Sequence, residues 1–178
     1  VEYESELLNL GSLSALKSII NFVTDLKDDL MKPLLVLLIS FVIAIFVVKF
    51  IYKHYDFALS ARIALSIMLC FTAMGHFVYT KGMSMMIPEW IPFKTSFVHL
   101  TGVFEILLAV GLLIPKLKVI SGWTLIIFLL LMLPSNIYAA IHQVDYQKGT
   151  FEGNGLSYLW FRIPLQVLFI VWAYMSSI

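Results

Sequence analysis

Up to Leu30 the apolar residues return at steps of three and four, with Leu13, Leu16, Ile20, Val23, Leu26 and Leu30 separated by Lys17, Asp25, Asp28 and Asp29. That period predicts one amphipathic helix over residues 1–31, lying in a membrane interface or packed on a neighbouring chain. Its acids argue against attraction to anionic lipid. A membrane or extracytoplasmic protein is the partner it would suit, and covering its own bundle is the plainer expectation. After Lys32 the period gives way to long apolar runs bounded by charge. A hydrocarbon core of about 30 Å needs about 20 apolar residues in a helix. Five runs meet that length, at 33–52, 61–80, 96–115, 119–143 and 156–175. Lys49 interrupts the first near its end, where its ammonium reaches the headgroups. No small-residue cleavage pattern follows this run, so it is expected to stay attached rather than serve as a secretory signal. The expectation is all-α: a single transmembrane helical bundle over residues 32–178.

Composition reinforces the pattern. With 61% apolar and 13% charged residues, the 178-residue chain is unlike a soluble globular domain, and the lipid bilayer is its expected surrounding. Twelve basic and eleven acidic residues leave no nucleic-acid footprint. The one cysteine, Cys70, excludes an internal disulfide and a CxxC redox pair. Lys49, Lys53, Arg62, Lys116 and Lys118 gather on one side of the spans against Asp56. Lys81, Lys94 and Lys148 on the other are balanced by Glu89, Asp145 and Glu152. The basic side is expected to be cytoplasmic, which places the amino terminus outside and the carboxyl terminus inside.

Alternating helix direction turns sequence position into depth. The second and fourth spans end on the outer side, where the third and fifth begin. His76 and Asn136 therefore come to the same half of the bundle as His99, Glu105, Arg162 and Gln166. Glu105 lies about 14 Å below Ser96, and Arg162 about 8 Å below Ser157. A lone charge at the bilayer centre costs at least about 2.5–3.5 kcal/mol, so both should point inward. A forked Glu105–Arg162 ion pair is expected, with the amides of Asn136 and Gln166 saturating the remainder. Arg162 and Gln166 share a helix face, as do Gly102, Glu105 and Ala109, and as do His76, Leu69, Thr72, Ala73 and Thr80. His99 is roughly 120° from Glu105 and is the weaker member. Pro134 and Pro164 each free a carbonyl one turn earlier, near Asn136 and Arg162. The stretch from Gly82 to Phe93 is too short to span and should lie along the outer interface, as an anchor or a lateral lid.

Several short motifs occur in order: Gly75-His76-Phe77, Ile87-Pro88-Glu89-Trp90-Ile91-Pro92, Thr101-Gly102-Val103-Phe104-Glu105, Gly111-Leu112-Leu113, Pro134-Ser135-Asn136-Ile137-Tyr138 and Arg162-Ile163-Pro164-Leu165-Gln166. Over Ala61 to Tyr174 they resemble the DoxX-like family of small bacterial membrane proteins. The resemblance implies a four-helix core in the bacterial cytoplasmic (inner) membrane, to which the first span and the amino-terminal helix are additions. It also implies a link to quinone-coupled or oxidative-stress chemistry, without transferring a catalytic residue.

Two readings of the polar cluster follow. In the first, the protein is an accessory subunit that binds a lipophilic, quinone-like molecule. His76, His99, Glu105, Asn136, Arg162 and Gln166 supply hydrogen bonds and protons, and electrons come from another subunit of a membrane oxidoreductase. In the second, the protein is structural, and the same residues only fix helix packing and partner binding. Bis-histidine haem ligation by two of His76, His99 and His142 is disfavoured. No HxxxH or HExxH pair supports a metal site, and none is expected.

Overall fold

A computed structural model describes residues 31–178. Among the described residues the helices are α1 (Met31–Tyr52), α2 (Phe57–Val78), α3 (Thr80–Met85), α4 (Lys94–Leu113), α5 (Lys118–Ile141) and α6 (Leu156–Ser177). All but the six-residue α3 are long and apolar enough to cross a membrane. The amphipathic helix expected over residues 1–31 lies outside the described residues, apart from Met31.

Local chemistry moves two of the expected boundaries. Helix α2 begins at Phe57 rather than Ala61 because Asp56 caps it, its Oδ1 accepting from the Leu59 amide at 2.8 Å. Helix α4 ends at Leu113 because Ile114 precedes Pro115 and turns extended, at φ −83° and ψ 118°. The Gly82–Phe93 stretch, expected along the outer interface, starts inside a helix: Gly82 lies in α3, buried against the backbone of Tyr146, where a Cβ would collide with the Tyr146 carbonyl. The α5–α6 connection that brings Tyr146 there is itself built. The Asp145 carboxylate accepts from the Gln147 and Lys148 amides, and the Asp145 amide donates to the Thr150 carbonyl at 2.9 Å. The Tyr146 ring meets Tyr79 edge-on.

Four helices form a ring in which α2 packs on α4, α4 on α5, α5 on α6 and α6 on α2. Leu65, Leu69, Leu112, Leu125, Leu165 and Phe169 fill its core. Helix α1 joins from outside the ring, burying Leu37 in the same core and setting Phe41 edge-on to Trp172 of α6 at 5.0 Å. The remaining apolar faces point outward, with Phe46, Leu131 and Val167 all exposed.

The two ends of the ring differ. At the end bearing Arg62 and Lys118, small residues let the helices close. Gly111 lies against the Ser121 hydroxyl, and a Cβ on Gly122 would come within 2.8 Å of Ser177 Cβ. Ser66 donates to the Ala109 carbonyl at 2.9 Å, and Arg62 Nη1 donates to the Ser176 carbonyl at 2.7 Å. We call this the basic end. The other carries Trp90, Phe93 and Trp160, each more than 80% exposed, and is the aromatic end.

Candidate functional site

Facing α2 and α4 project two threonine-led pairs, Thr72 and His76 on one helix and Thr101 and Glu105 on the other. Residues four apart share a helix face, so each pair presents two polar groups to the same seam. Gly102 permits the approach, since a Cβ there would lie 2.8 Å from His76 Cβ and 3.3 Å from the Phe77 ring. Glu105 is buried. Its Oε1 stands 3.5 Å from His76 Nε2, and its Oε2 is 2.9 Å from the Thr72 hydroxyl. On the far side of the imidazole, Nδ1 lies 3.2 Å from the Val98 carbonyl and 3.0 Å from Thr101 Oγ1. Thr101 donates to that same carbonyl at 2.8 Å.

This arrangement assigns a proton. A carbonyl only accepts, and the Thr101 hydroxyl spends its hydrogen on it, so Nδ1 is the donor on that side. Nε2 then faces the Glu105 carboxyl across 3.5 Å, so the buried acid has a partner able to share a proton with it among apolar helices.

The expected Glu105–Arg162 ion pair does not form. Glu105 pairs with His76 instead, and Arg162 is half-buried on α6 with no ion pair among the described residues. The physical reason is ring order: α4 neighbours α2 and α5, so α6 stands across the bundle from Glu105. The amides are redirected as well. Asn136 is buried and its Oδ1 accepts from the Tyr158 hydroxyl at 3.3 Å, rather than serving the acid. Gln166, also buried, donates its amide nitrogen to the Leu129 carbonyl of α5, one residue before the carbonyl that Pro134 deprives of its usual partner. Its Oε1 is buried with no hydrogen-bond partner among the described residues. His99 stays outside the cluster. It is exposed, stacks on Phe77 at 5.6 Å between centroids, and places Nε2 3.1 Å from the Thr80 hydroxyl. His142 turns back on its own helix, with Nδ1 2.9 Å from the Tyr138 carbonyl.

Polar groups therefore occupy two seams of one ring: Thr72, His76, Thr101 and Glu105 between α2 and α4, and Asn136, Tyr158, Gln166 and Arg162 on α5 and α6. Thr101 and Tyr158 were absent from the expected set. The four-residue spacing of Thr101 from Glu105 was a readable signal. Nothing comparable marked Tyr158, which meets Asn136 only across two helices. No three His, Cys, Asp or Glu residues gather as metal ligands among the described residues.

A family model described as Domain of unknown function (DUF8561) matches residues 65–177. The chain belongs to this family. No curated protein and no solved structure matches it. The DUF8561 region takes in most of α2 and continues to the end of α6, so it contains both seams and leaves α1 outside.

Proposed function

We propose that this DUF8561 protein is a DoxX-like accessory protein of the bacterial cytoplasmic membrane that binds a lipophilic, quinone-like molecule between the helices of its ring. The basic end would face the cytoplasm, by the excess of lysine and arginine there. The amino terminus would then be outside and the carboxyl terminus inside. A four-helix ring with α1 added outside it is compatible with the DoxX-like resemblance.

The observation that carries the ligand reading is Gln166. A buried amide oxygen without a donor costs about 1–3 kcal/mol, a cost that helix packing alone does not explain. A hydroquinone hydroxyl supplies the missing donor. Arg162, four residues along the same helix, offers donors to a quinone carbonyl. The Glu105–His76 pair would exchange the protons that accompany reduction, and electrons would have to come from a partner subunit with its own cofactor.

The structural reading draws on one specific observation, the mutual satisfaction of Thr72, His76, Thr101 and Glu105. A closed network of this kind specifies helix packing without needing a guest. The test is organic extraction of the purified protein and chromatography for bound quinone. The ligand reading expects quinone in the wild type and reduced occupancy in Gln166→Leu and Arg162→Ala. A folded wild type that retains none, or variants that retain it fully, would leave the packing role.

A further inference from the structure

We infer that Glu105 and His76 form a proton-binding site that exchanges with the aromatic end of the bundle and is sealed from the basic end. The inference rests on reading the α2–α4 seam as the proton-exchanging part of the proposed site. His76 lies two residues before the end of α2, about 3 Å along the axis. Beyond its Nδ1 stands the Thr101 hydroxyl, and at the same end Thr80 and the exposed His99 sit 3.1 Å apart.

The opposite direction is closed. From Glu105 to the end of α4 no side chain is polar, and Leu65, Met68, Leu69, Leu108 and Leu112 are each at most 6% exposed. On α2 the next inward polar side chain beyond Thr72 is Ser66, whose hydroxyl is committed to the Ala109 carbonyl. Cys70 is exposed on the outer surface. The ionisable groups at this end of the surrounding helices include Lys81 on α3, Lys94 and His99 on α4, Tyr138 on α5, and Tyr158 and Arg162 on α6. Among the described residues none of them hydrogen-bonds or ion-pairs with Glu105 or His76.

The exchangeable proton is the one on Nδ1. On release the Nδ1–H bond breaks as a bond to Thr101 Oγ1 forms, while that hydroxyl turns its own hydrogen away from the Val98 carbonyl and gives it to bulk water at the aromatic end, which carries it off as hydronium. The Val98 carbonyl accepts but cannot relay. The ring keeps its Nε2 hydrogen towards the carboxylate, and the pair goes from net neutral to a single negative charge. Uptake is the reverse, and no electrons move.

The test uses the full chain in phosphatidylcholine vesicles with a buffered interior and no quinone. Orientation is read by labelling Lys116 and Lys118 with a membrane-impermeant amine reagent. The external pH is stepped, and the infrared ring modes of isotope-labelled histidine, which distinguish Nδ1–H from bare Nδ1, are followed. The His76 band is the one lost in His76→Gln. Should that variant not fold, it is the band that persists through His54→Gln, His99→Gln and His142→Gln. The band is expected to follow the bath when the aromatic end faces it and to ignore the bath when the basic end does. Thr101→Val should slow the response by about a hundredfold, the lower range for a positioned proton-transfer group, while Thr101→Ser keeps it. A response from the basic end, from both ends equally or from neither would overturn the inference, as would an unslowed Thr101→Val. Loss of quinone binding with the one-sided response intact would remove the ligand reading and leave this one standing.

Discussion

The two polar seams of the ring face the same problem with different outcomes. Between α2 and α4, the carboxylate and imidazole each find partners on the opposite helix, and Gly102 lets the backbones close around them. On α5 and α6, among the described residues, Gln166 satisfies its nitrogen but not its oxygen, and Arg162 forms no ion pair. A polar network closed on itself rigidifies the helices that carry it, and a half-closed one leaves hydrogen-bonding capacity for a guest. Under the proposed function the first seam would hold protons and the second would contact the ligand.

The most severe way to break this contrast is to orphan the acid. His76→Ala should cost about 3–5 kcal/mol in denaturant unfolding of the purified protein, because it leaves Glu105 buried without its partner. The double variant His76→Leu with Glu105→Leu should recover much of that loss, since apolar replacement of a whole buried pair is often neutral. Equal losses in the single and double variants would mean that the pair does not act as a unit.

Next in size is the helix approach. Gly102→Ala should cost about 1–3 kcal/mol by overpacking against His76 Cβ and the Phe77 ring. Gly75→Ala on α2 should be milder, because its added methyl meets Met83 at an ordinary 3.5 Å. Thermal unfolding of the two variants side by side checks the order.

The second seam should respond less. Gln166→Leu forfeits the bond to Leu129 but removes an unsatisfied oxygen, so ligand-free stability should change by less than about 1 kcal/mol. Smallest of all, Arg162→Met should stay within about 0.5 kcal/mol in the ligand-free protein. A loss several times larger would show that Arg162 carries a structural interaction and would erase the difference between the seams.

Much of the fold was legible before any coordinates. The membrane-spanning lengths of all five long helices followed from apolar runs between charges, and only boundaries moved, at Asp56 through a side-chain cap and at Ile114 through the proline after it. Short helix α3 was missed because Thr80–Met85 has too few residues to show a period, and its place is set by Gly82 meeting Tyr146 from a distant loop. The inward burial of Glu105, Asn136 and Gln166 was equally readable, since polar groups in such segments avoid hydrocarbon.

What linear order could not decide was who meets whom. Depth along a helix comes from counting residues at a fixed rise, so the sequence placed Glu105 and Arg162 in the same half of the bundle. Their pairing depends on which helices are neighbours around the ring, and that order is set by the packing of every side chain at once. Tertiary structure put α2 beside α4 and α6 across the ring from α4, giving Glu105 the imidazole of His76 and keeping it from the guanidinium of Arg162.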